Sequence, residues 1–165
     1  MTTNESEAGQ APARVVLDEP AFEAFLCGIA NEVFANMLAV RAGKLKAEEA
    51  AERDDANVRN LARVLMGEHD RITAALPLIG PKLAVEMRTN IPALFRGMPK
   101  DVDPDNPRAL LVHASRMFLS EIYTMMRAFI AEGDKLSPEG VRERIEGFGA
   151  LWAVRFMGDA PGRFN

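Results

Sequence analysis

The chain has 165 residues, 48% hydrophobic and 27% charged, with a net charge of −4 and one cysteine, Cys27. This length suits one domain with a sizeable core, the composition excludes global disorder, and a mildly acidic chain without a basic stripe points away from nucleic acid. A lone cysteine excludes an internal disulfide and a cysteine-built zinc site, so a reducing cytoplasm is the expected compartment.

Residues 1–17 carry early acids and no continuous apolar run, which excludes a signal peptide and predicts a flexible arm. A bundle domain is predicted over residues 18–158, followed by a polar tail, 159–165. Asp18 can cap the first helix and Pro20 fits its first turn. Phe22, Phe25, Leu26, Ile29, Val33, Phe34, Met37 and Val40 then recur at three- and four-residue intervals, a wide apolar stripe that also holds Cys27 as a small hydrophobe. Beyond Gly43 the text KLKAEEAAERDD has strong helix formers but almost no large apolar residues, and reads as a solvated helical extension or charged connector.

Asp54 or Asp55 can cap a second helix with the stripe Val58, Leu61, Leu65, His69, Ile72 and Leu76, ended by Pro77. A third helix starts at Pro81, and Pro92 inside its apolar pattern predicts a break near Asn90. That proline and the wide spacing of Lys82, Arg88 and Arg96 exclude a DNA-reading helix-turn-helix. Residues 98–107 form an aperiodic surface loop. Its Asp101, Asp103 and Asp105 lack the glycine and glutamate of a calcium loop.

Asn106 and Pro107 open the most apolar segment of the chain, a central helix predicted over about 106–132 and ended by Gly133. Its polar residues His113, Arg116, Ser120, Thr124 and Arg127 fall in one narrow sector, with Glu121 apart from them. Arg116 and Arg127 must reach water, a partner, or acids such as Glu23, Glu32, Glu121 and Glu146. Charges at these positions also exclude a membrane span for this segment. The last helix starts at Ser137–Pro138 with the stripe Val141, Ile145, Phe148, Trp152 and Phe156; Gly147 and Gly149 inside it predict a close helix crossing. The fold class is all-α, a single-domain bundle of about five helices around the central one.

The motif inventory points away from an enzyme: phosphate loop, nucleophile elbow and HExxH pair are missing, and neither histidine follows a glutamate by three residues as a di-iron bundle requires. No pattern names a cofactor or a metal set. The sequence instead predicts a non-enzymatic interaction or assembly protein, homo-oligomeric, whose partner is another protein or a second copy. Arg127, Met125 and Met126 are its candidate interface residues. The alternative is a small-molecule sensor or carrier with a Met-lined apolar pocket formed by His69, His113, Arg116, Met117 and Tyr123. In the simplest reading His69 is a core imidazole and His113 lies at a solvent or subunit surface.

Overall fold

A computed structural model describes residues 19–68, 80–133 and 137–157. The expected N-terminal arm, the C-terminal tail, and His69, Ile72, Leu76 and Pro77 lie outside these residues. Among the described residues there are five α-helices and no strands: α1 Glu19–Arg41, α2 Ala47–Leu65, α3 Pro81–Asn90, α4 Pro107–Glu132 and α5 Pro138–Met157. A short 3₁₀ turn, Pro92–Phe95, follows α3. The all-α bundle about a central helix is the architecture expected from the apolar periodicity.

α4 is that central helix. Asn106 accepts a hydrogen bond from the Ala109 N–H at 3.3 Å, Pro107 occupies the first turn, and the helix runs 26 residues, Pro107 included, before Gly133. Leu111, Phe118, Ile122 and Met126 are fully buried, and the helix packs against α1, α2, α3 and the 3₁₀ turn. Removing a large apolar side chain from water contributes about 1.5–3 kcal/mol, so α4 supplies a large share of the core energy. α5 reaches it through aromatic rings: Phe118 lies 5.3 Å from Phe148 and 5.5 Å from Trp152, centroid to centroid. Glu121, the acid outside the polar sector, accepts the Trp152 indole N–H at 2.7 Å and faces Arg155 at 3.3 Å.

α1 lies chiefly along α5, and α2 along α4. Two turns shape this layout. Gly43 and Gly67 both take positive φ, 72° and 86°, and each closes the preceding helix with paired backbone bonds, Lys44 N to Ala39 O and Glu68 N to Arg63 O. The second helix therefore ends at Leu65, earlier than its hydrophobic stripe implied. It also begins earlier, at Ala47, so Asp54 and Asp55 lie within it and do not cap it. The strong helix formers of KLKAEEAAERDD carry the helix through that stretch, with Glu49 reaching back to the Lys46 N–H at 3.3 Å.

The break expected before Pro92 is present: α3 stops at Asn90, and Ile91 leaves helical geometry at φ −131°. The surface loop behind it is held where Arg88 donates to the Pro104 carbonyl at 3.0 Å. At the α1–α5 crossing a Cβ on Gly149 would run into Cys27 Sγ, whereas one on Gly147 would meet nothing within 4 Å. Close packing thus accounts for Gly149 and not for Gly147. One helix, α1 over Pro20–Arg41, is long and apolar enough to cross a membrane by length and composition, with mean hydropathy 1.3. Its Phe22, Leu26, Ala30 and Val33 are fully buried in the bundle, while much of the rest of the helix is accessible.

Candidate functional site

The polar strip of α4 meets water beside α2. There, Asp54, Asp55, Val58, Arg116, Leu119, Ser120, Tyr123 and Arg127 line an open groove of about 500 Å³. Val58 and Leu119 are buried and form its floor, at 6% and 5% exposure. Arg116 and Arg127 are exposed and form neither ion pair nor hydrogen bond among the described residues. Two of the acids that sequence reasoning offered them are engaged elsewhere: Glu121 is held by Trp152 and Arg155, and Glu146 faces Arg142.

The opposite wall is acidic. Tyr123 donates its hydroxyl hydrogen to Asp54 Oδ2, tying α4 to α2, while Asp54 Oδ1 is buried without a hydrogen-bond partner. Burial raises the Asp54 pKa, the Tyr123 hydrogen bond pulls it down, and the like charges of Asp55 and Glu32 raise it further. Burial and the neighbouring carboxylate also raise the Tyr123 pKa, so its phenol stays protonated and remains the donor. Behind this wall Arg53 donates to Asn36 Oδ1 at 2.9 Å, and the buried Nδ2 atoms of Asn36 and Asn57 have no partner. The α1–α2 contact therefore carries polarity that a plain hydrophobic seam would lack.

The pocket proposed from sequence does not assemble as one enclosed site. Arg116 and Tyr123 share the groove, joined by Arg127, but His113 points elsewhere. It is only 8% exposed; its Nε2–H donates to the Leu94 carbonyl at 3.1 Å and its ring lies 6.0 Å from Phe95. This corrects the surface reading of His113, because the 3₁₀ turn after Pro92 covers it. Met117 is half-buried against the core. Of the interface candidates, Arg127 is exposed and Met125 half-buried, whereas Met126 is fully buried within the bundle and offers no surface to a partner. His69 lies outside the described residues.

Sequence reasoning missed Asp54, Asp55 and Val58 as groove residues, because it placed the two acids at a helix start. A signal existed: Asp54, Val58 and Leu61 keep helical spacing if the helix is begun upstream. Cys27 is half-buried, its thiol 3.7 Å from the Ile145 carbonyl, and burial with the nearby Glu146 and Glu23 raises its pKa, the opposite of what a reactive thiol requires. Among the described residues no group of three or more His, Cys, Asp and Glu side chains could hold a metal. No protein-family model matches the chain, and neither a curated protein nor a solved structure is significantly similar to it.

Proposed function

We propose that the protein is a non-enzymatic interaction or assembly protein, homo-oligomeric and cytoplasmic, that binds other proteins through its surface. One observation carries this reading: the polar candidates of α4 that stay accessible converge on an open, mixed-charge groove and not on an enclosed apolar chamber. A carrier of small apolar molecules needs a concave site that removes most of the ligand from water. An open groove with cations on one wall and acids on the other suits the polar rim of a protein interface. Self-association finds support in α1, whose exposed residues include the apolar or small Ala24, Gly28, Ala35 and Leu38 beside Asn31 and Glu32.

Native mass spectrometry of protein purified from its own host tests the proposal, since it reports subunit count, bound partner and retained small molecules together. Masses at multiples of the chain, or of the chain with a second protein, are expected. A strict monomer, bare or carrying a stoichiometric apolar small molecule, overturns it.

A further inference from the structure

We infer that the groove between α2 and α4 docks one helix of a partner protein, an amphipathic segment with acids on one flank, bases on the other and an apolar ridge between them. The inference rests on the interaction reading above and names the class of partner.

The spacing of the arginines sets the length of the occupant. Arg116 and Arg127 are eleven residues apart on α4. At 100° and 1.5 Å per residue they project within about 20° of each other and lie about 16 Å apart along the helix. One carboxylate or phosphate placed at either guanidinium leaves the other unoccupied, so the matching ligand extends over roughly three helical turns. A helix with acids eleven residues apart on one flank meets both.

The facing wall sets the charge pattern. Asp55 is exposed and Asp54 is already engaged by Tyr123. A uniform polyanion, such as a nucleic-acid backbone or an anionic lipid surface, would satisfy the arginines while pressing like charge against Asp54 and Asp55. An occupant with both signs at a fixed separation satisfies both walls, and the two flanks of an amphipathic helix provide that separation. The floor sets the ridge. Val58 and Leu119 line the same open space of about 500 Å³ as Tyr123, where an apolar ridge lying along the groove would meet them. Neither arginine has a partner among the described residues, so docking there breaks no ion pair between them.

A helix-stapled peptide with glutamates eleven residues apart on one flank, lysines on the other and leucines between them tests this by fluorescence anisotropy with the full-length chain. A version with lysines on both flanks and poly-glutamate serve as controls. Saturable binding is expected for the mixed-charge peptide, weakened about tenfold in the Arg116→Ala/Arg127→Ala double variant, as the loss of two exposed ion pairs implies, and partly retained in Arg116→Lys/Arg127→Lys. Added salt should weaken it further. Unchanged affinity in the double alanine variant, equal binding of either control, or no binding of the mixed-charge peptide overturns the assignment. If the peptide fails while native mass spectrometry still shows an assembly, the groove loses its role and the interaction reading stands.

Discussion

The α1–α5 crossing offers a prediction with an internal control, because Gly147 and Gly149 lie on the same helix and differ in what they face. Alanine is favoured over glycine in a helix interior by roughly 1 kcal/mol, so Gly147→Ala, whose new methyl meets nothing within 4 Å, should stabilise the fold by up to that amount. The same gain applies at Gly149. There, however, the methyl would overlap Cys27 Sγ and come within 3.5 Å of the Glu23 carbonyl oxygen. Forcing an extra methyl into a packed site costs about 1–3 kcal/mol, and the thiol cannot turn aside without leaving the Ile145 carbonyl. Gly149→Ala should therefore be neutral to destabilising by up to about 2 kcal/mol. Because the propensity gain is common to both, the gap between the two variants isolates the contact at about 1–3 kcal/mol. Urea denaturation of both variants measures that gap. Adding Cys27→Ala to Gly149→Ala should close most of it by removing the overlapping atom, a coupling that a double-mutant cycle reads directly. Agreement of the two glycine variants within about 0.4 kcal/mol, the ordinary error of additivity, would show that Gly149 is not closely packed against Cys27.

Asp54→Asn should stabilise the fold at neutral pH, since it removes a carboxylate whose ionisation burial opposes. The raised pKa means that the native state holds the proton more tightly than the unfolded chain, so the wild-type penalty is full above the folded pKa and fades as pH falls toward the ordinary 3.8. Denaturation from pH 7 to pH 4 should show the variant's advantage shrinking; an advantage that grows on acidification refutes the sign. Arg116→Ala and Arg127→Ala should each change stability by well under 1 kcal/mol in the same assay, because both side chains are exposed and unpaired among the described residues. A loss of several kcal/mol from either would reveal a buried ion pair that the groove geometry excludes. Asn106→Ala should cost about 1 kcal/mol through loss of the cap on the Ala109 N–H, with Asn106→Asp recovering most of it by thermal melting.

The helices whose ends carry strong local chemistry were legible in the sequence. Asn106–Pro107 and Ser137–Pro138 mark the starts of α4 and α5, and the Ser137 hydroxyl accepts from the Gly140 N–H at 3.0 Å. The α2 boundaries were not legible, for two physical reasons. At its start the buried face is built from Ala50, Asn57 and the half-buried Asp54, residues that carry little hydrophobic signal. At its end the apolar spacing in the sequence continues from Leu65 to His69 and Ile72, while the positive φ of Gly67 stops the helix first. A stripe extrapolated across a glycine reports where apolar residues fall, and backbone geometry decides whether they share a helix.

The strip on α4 shows how a helix can be central and still present charge. Reading it from composition opposed two outcomes, a buried helix whose arginines find internal acids or a surface helix whose arginines meet water. The bundle satisfies both descriptions at once, since the neighbours of α4 cover the apolar sectors and leave the narrow polar sector open beside α2. His113 belongs to the same strip by angle, so angle alone cannot explain why it is buried while Arg116, one turn away, is exposed. The explanation lies in Pro92. By ending α3 at Asn90 it forces a separate 3₁₀ turn, and the last carbonyls of a helical turn lack donors of their own. His113 supplies one to Leu94, which brings the turn over the imidazole and closes that end of the strip. The groove therefore begins where this contact stops, and its extent is fixed by a proline more than twenty residues earlier in the chain.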